Sequence, residues 1–211
     1  EDLDGLRELH ENLYDAYEEE ADLDSFLRQT ELKARTSDHP EISPYLYARL
    51  GMLYWQRMNN PDKAELYFRR ITGKCPEFQD EHHIFYVDFY SNRGNWRRLE
   101  KFMMEAAGEP EEASEIIRIK RDLAHQATAA GMPDKAITFW SAVSELDPSD
   151  VQAEETLLGL YEEVKKWHSL VDLLQKKAKR VPAENVPERL ELYGRMIEIY
   201  RDHIKSDTKV N

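Results

Sequence analysis

IKRDLAHQATAAGMPDKAITFWSAVSELDPSDVQAEETLLGLYEEVKKWHSLVDLLQKKAKRVP, residues Ile119 to Pro182, decides the fold. It holds one design twice. The first copy runs Leu123-Ala124, Ala127, Gly131, Ala136, Trp140, Val143, Pro148. The second runs Leu157-Leu158, Tyr161, Trp167, Leu170, Leu174, Pro182. Corresponding residues lie 34 apart: Ala127 and Tyr161, Ala136 and Leu170, Pro148 and Pro182. Within each copy the apolar residues recur at three and four, the helical period. Gly131 to Pro133 and Asp147-Pro148 are breaks of the kind that end helices, so each copy reads as two helices.

The design extends outward in both directions. Upstream stand Leu50-Gly51, Tyr54, Ala64, Phe68, Ile71 and Pro76, and before them Leu13-Tyr14, Tyr17, Leu23 and Phe26. Between lie Tyr86, Tyr90, Gly94, Trp96, Leu99, Met103 and Ala106. A half copy, Met196-Ile197 and Tyr200, closes the chain. The series Tyr17, Tyr54, Tyr90, Ala127, Tyr161, Tyr200 is spaced by 34 to 39 residues. Breaks fall at Asp22, Pro40 to Pro44, Asn59-Asn60-Pro61, Gly73 to Pro76, Gly94, Gly108 to Pro110 and Pro182 to Pro187. No stretch reads as a strand. The expected units are 5–40, 41–77, 78–112, 113–149 and 150–184, with a half unit over 186–211, all within one repeat domain over 1–211.

This pattern resembles the tetratricopeptide repeat family, whose motif places Trp, Leu-Gly, Tyr, Ala, Phe and Pro across two antiparallel helices. The units holding Gly51 and Gly131 lie nearest the motif; Leu99 stands where the family prefers a small Ala. The resemblance implies an all-α fold, an α-solenoid of antiparallel helix pairs wound as a right-handed superhelix. The physics agrees. Small residues such as Ala64, Ala124, Ala127 and Ala136 let two helices approach, and large ones such as Phe68, Trp140 and Tyr161 fill the space between pairs. One pair cannot bury its apolar faces alone; stacking does it. A longer echo sets Leu13, Tyr17, Phe26 and Tyr54 against Leu157, Tyr161, Leu170 and Tyr200. It predicts a fragment of a longer array whose next second helix would start near Asp207; a native C-terminus with a frayed tail is the other reading.

The 211 residues carry a net charge of −13, with 34% charged residues and a mean hydropathy of −0.76. Eleven Tyr, four Trp and seven Phe spread along the chain argue against disorder. The charge argues against nucleic acid as a partner, because phosphates call for Lys and Arg clusters. No apolar run is long enough to span a bilayer, and no secretory leader is legible. The single Cys75 rules out an internal disulfide framework. It favours a reducing, cytoplasmic setting and is compatible with an exported one.

No catalytic, cofactor or metal site is legible. His10, His39, His82, His83, His125, His168 and His203 include no helical i, i+4 pair, and no Cys-x-x-Cys occurs. His82 and His83 read as exposed residues at a helix start. Cys75 reads as a helix C-terminus, where the dipole disfavours a thiolate. The acidic run Glu18-Glu19-Glu20 with Asp22 and Asp24 lacks the glycine of a calcium loop.

The expected function is therefore non-catalytic binding of a protein or peptide on the concave face, which the first helix of each pair lines. Helical phase places Tyr45, Arg49, Met52 and Trp55 there, then Phe85, Asp88 and Asn92, then Arg118, Arg121 and His125. Glu8, Glu11, Asp15 and Glu18 on one side and Glu155, Glu162 and Glu163 on the other make the ends acidic. The preferred ligand would carry carboxylates at its centre and basic or neutral ends. Some members of the resembled family hold chaperone tails with paired Lys and Asn; the matching positions here are Ala48 and Met52. The stretch His83 to Ala106 is also similar to the half-repeats of RNA-processing scaffolds. The alternatives are a helical accessory or regulatory domain of a larger enzyme and a self-assembly module. Residues 188–204 form a last helix whose Leu190, Tyr193, Ile197 and Tyr200 predict end-to-end self-association.

Overall fold

A computed structural model describes residues 3–8, 20–71 and 73–204. All regular structure among them is helical. The chain divides into two compact units, Glu1–Phe89 and Tyr90–Asn211, with the boundary inside one helix. In unit 1, residues 3–8 are helical (α1), followed by α2 (Glu20–Thr36), α3 (Ile42–Met52), α4 (Pro61–Ile71) and the start of α5 (Gln79–Ser91). A π-helical turn, Leu53–Arg57, extends α3, and a 3₁₀ turn, Pro76–Phe78, precedes α5. Unit 2 takes the end of α5, then α6 (Trp96–Ala106), α7 (Ala113–Ala129), α8 (Pro133–Leu146), α9 (Val151–Glu163), α10 (Trp167–Arg180) and α11 (Val186–Asp202). Within each unit consecutive helices pack on one another, α3 on α4, α7 on α8, α9 on α10 and α10 on α11 among them. These are the antiparallel helix pairs that the sequence implies.

The repeat is visible in the turns that join the two helices of a pair. Each turns on a residue with positive φ: Asn59, Gly94, Gly131 and Lys165. The N–H of the next residue reaches back to a helix carbonyl, Asn60 to Tyr54 at 2.7 Å, Asn95 to Tyr90 at 2.9 Å, Met132 to Ala127 at 2.9 Å and Lys166 to Tyr161 at 2.8 Å. This closes the orphan carbonyls of the helix end. The four acceptors are the members of the sequence series from Tyr54 to Tyr161. The first turn is one residue longer than the other three, because the π-helical turn inserts a residue into the end of α3. That insertion accounts for part of the drift in spacing.

The second helices repeat as well. Ala64, Leu99, Ala136 and Leu170 are each 0% exposed. One turn later Phe68, Met103, Trp140 and Leu174 are buried. The first position takes alanine in two pairs and leucine in the other two, and is fully buried in all four. The two helices approach closely at Gly51, where a Cβ would stand 2.9 Å from the Phe68 ring.

Three expectations are corrected. Asp22 does not break a helix, since α2 begins at Glu20. Cys75 does not end a helix. It lies beyond Ile71 and directly before the 3₁₀ turn at Pro76. His82 and His83 are both half-buried rather than exposed, and the His82 ring lies 4.7 Å from Tyr86 and 5.8 Å from Phe68, because the apolar face of α5 is wide enough to take it in.

Candidate functional site

The candidate binding residues separate by burial in a way that helical phase alone did not resolve. In unit 1, Tyr45 and Phe85 belong to the core, 3% and 1% exposed. Tyr45 packs on Phe78 at 5.9 Å and takes the Arg7 guanidinium over its ring at 5.6 Å. Phe85 packs 4.6 Å from Phe68 and 5.2 Å from Phe89. They support the surface rather than form it. Arg49, Met52 and Trp55 are half-buried along the exposed side of α3, and Asp88 is exposed on α5. Trp55 stands with its ring against Phe85 at 5.5 Å and Phe68 at 6.5 Å, both edge-on. The core therefore fixes the indole while part of it stays open to solvent. Ala48, at the position of the family's chaperone clamp, is fully buried. Glu8 is exposed; Glu11, Asp15 and Glu18 lie outside the described residues.

In unit 2, Asn92, Arg118 and His125 are exposed and Arg121 is half-buried. Both arginines already hold carboxylates of their own chain. Arg118 Nε donates to Glu115 at 3.1 Å, and its Nη1 reaches Asp122 at 3.3 Å. The hydrogen bond from Arg118, and then its charge, hold the half-buried Glu115 carboxyl below its ordinary value. Arg121 Nη2 donates to Asp150 at 2.6 Å. Asp150 in turn caps α9 by accepting from the Ala153 N–H at 3.0 Å. Burial works to raise the Asp150 carboxyl, but the Ala153 N–H and Arg121 outweigh it and hold the pKa below its ordinary value. Arg121 is thus a structural strut between α7 and the start of α9. His125 lies edge-on to the buried Trp140 at 5.0 Å. Glu155, Glu162 and Glu163 are exposed on α9, and Glu162 takes Arg195 of α11 at 2.7 Å.

Sequence reasoning missed the ionic joints. Glu154 of α9 is 7% exposed and pairs with Lys177, at 3.0 Å, and with Arg180 of α10. Its signal was present, an acid one turn into a helix whose partner helix ends Lys-Lys-Ala-Lys-Arg, but pairing across 23 residues is not readable from a single helix. Asp150 was findable as the polar residue before an apolar helix run.

Among the described residues no group of three or more His, Cys, Asp and Glu side chains comes together as a metal site. Burial, followed by the neighbouring Glu77 carboxylate, pushes the Cys75 thiol up to about 12. The unreactive thiol was expected, but the cause is burial and Glu77, not a helix dipole. Among the described residues no helix is long and apolar enough to cross a membrane.

No protein-family model and no curated protein matches the chain. Among solved structures it is similar to YrrB, described as a TPR protein with an unusual peptide-binding site, at 13% identity and a TM-score of 0.33, over 83% of this chain and 93% of that one. The chain's own repeated turns and buried positions show an all-α fold of antiparallel helix pairs in succession.

Proposed function

We propose that the chain is a non-catalytic scaffold that binds a protein or peptide along the exposed sides of its first helices. The observation that carries this is Trp55. It is a large aromatic seated on Phe68 and Phe85, half open to solvent, with Met52 and Arg49 beside it on α3. Aromatic and Arg side chains supply most of the energy at interfaces, and a ring that the core already holds loses little entropy on binding. In unit 2 the corresponding side of α7 offers Arg118 and His125, with Asn92 exposed just after α5. A ligand carboxylate there exchanges with Glu115 and Asp122 for the Arg118 guanidinium, so its gain is modest. Apolar contact at Trp55 and Met52 dominates.

Peptides selected from a random display library on the immobilised protein test this. Trp55→Ala should weaken the selected peptides about thirtyfold or more, the effect of losing a hot spot. Leu66→Ala, which removes an exposed apolar residue from α4, should leave them unchanged. Equal binding by both variants, with helicity intact, would place recognition elsewhere.

A further inference from the structure

The short segments that join helices in unit 2 are sorted by charge. Those within a pair, 92–95, 130–132 and 164–166, hold Arg93, Lys165 and Lys166 and no acid. Those between pairs, 107–112, 147–150 and 181–185, hold Glu109, Glu111, Glu112, Asp147, Asp150 and Glu184 and no base. The helix starts that follow the within-pair turns add Arg97 and Arg98 on α6 and Asp134 and Lys135 on α8, and no Asp, Glu, Lys or Arg on α10. These turns are neighbours. A Cβ on Gly94 would stand 3.9 Å from the Met132 side chain, and Lys166 reaches Asp134 at 2.6 Å. They line one edge of the unit.

Six bases share this edge, Arg93, Arg97, Arg98, Lys135, Lys165 and Lys166, and all are exposed. The acids beside them are Asp134, which Lys166 already holds, and Glu162 and Glu163 at the end of α9, of which Glu162 takes Arg195 of α11. The balance is positive, in a chain whose net charge is −13. Among the described residues no carboxylate pairs with Arg97, Arg98, Lys135 or Lys165. Arg97 and Arg98 also stand in the first turn of α6, where the helix dipole favours acids. Unpaired bases there weaken the helix, and no contact of theirs within the described chain offsets it.

We propose that this edge docks a short acidic segment of another protein, whose carboxylates meet Arg97 and Arg98 from solvent. From the start of α6 to the start of α10 the edge spans two helix-to-helix steps, about 20 Å, or roughly six residues of extended chain. A longer polyanion such as a nucleic acid would run onto the acidic surface beyond it. Nor is an indole open to stack a base. Trp96 is 4% exposed, and the face of Trp167 is taken by the His203 ring at 3.8 Å. The edge belongs to unit 2 and Trp55 to unit 1, and the two differ in the charge of the ligand they favour.

Fluorescence anisotropy of the full chain at low salt tests this, with a labelled peptide of alternating Glu and Ser and a control with Gln in place of Glu. The Glu peptide should bind and the Gln peptide should not. Arg97→Glu with Arg98→Glu should weaken binding about tenfold or more, at unchanged helicity. Lys176→Glu with Lys179→Glu makes the same change in net charge at the far, exposed end of α10, and should alter binding less than about twofold. Trp55→Ala should leave it unchanged, which separates this result from the peptide-display test. A Glu peptide that fails to bind the wild type overturns the proposal. So does equal weakening by the two double variants, which would mark a response to net charge alone. An oligothymidylate of equal charge that binds more tightly than the Glu peptide overturns it in favour of nucleic acid.

Discussion

At the scale of single residues, the tightest constraint is steric. Gly51 meets the Phe68 ring at 2.9 Å, and that ring is fully buried. An added methyl has to displace an aromatic ring that its neighbours hold in place. Gly51→Ala gains about 1 kcal/mol of helix propensity against an overpacking cost of about 1–3 kcal/mol. The expected outcome is a net loss of about 1 kcal/mol in chemical denaturation. Unchanged stability would show that Phe68 has room to move. His82 supplies a pH dependence. Burial, above all, holds its imidazole below the ordinary value. Its neutral form suits the folded state, so its contribution is complete above the unfolded pKa of about 6.5. It is lost as the pH falls through the lower folded value, since the unfolded chain takes the proton first. The stability gap between the wild type and His82→Gln should therefore narrow as the pH drops from about 7 to about 5. A constant gap would show that His82 binds its proton equally in both states.

At the scale of elements, the turns within pairs carry the repeat. The sequence announced two of them plainly, because Gly94 and Gly131 stand where φ is +66°. It also marked a third through the Asn59-Asn60-Pro61 break, with Asn59 at φ 47°, and concealed the fourth, where Lys165 occupies the same left-handed position at φ 58°. Lysine has no local hydrogen bond to offset that conformation. Lys165→Gly should raise the stability of the wild type by about 0.5–1 kcal/mol, because glycine adopts the turn without strain and the Lys166 N–H to Tyr161 bond is kept. A loss of stability would mean that the lysine side chain contributes more than its backbone costs. The same contrast explains what was legible. Positions such as Ala136 and Trp140 declare themselves by size and period. Tyr45 and Phe85 do not, because a helix wedged between neighbours buries more than one stripe, and period alone cannot say how wide the buried face is. The pairing of Arg121 with Asp150, 29 residues away, was likewise beyond reach. It turned an expected ligand contact into a joint between helices.

For the whole molecule, charge is the property that the sequence and the structure both bear on. Forty-two acids against 29 bases leave −13. Many of the bases are already committed, Arg118 to Glu115 and Asp122, Arg121 to Asp150, Lys177 and Arg180 to Glu154, and Arg195 to Glu162. The uncompensated charge is therefore acidic and spread over the surface, and it biases which partners arrive. Long-range attraction favours a ligand of positive net charge, while the short-range contacts at Trp55 and Met52 favour an apolar or aromatic centre. Peptides selected at low salt should accordingly be enriched in Lys and Arg toward their ends and in large apolar residues at their middle. Their association rates should fall steeply as salt shortens the screening length to about 8 Å at physiological ionic strength, while their dissociation rates change little. That split follows because the flanking charges act during approach, whereas the indole contact acts once the ligand has docked. Selected peptides without a positive bias, or with salt acting mainly on dissociation, would show that the acidic surface takes no part in recognition.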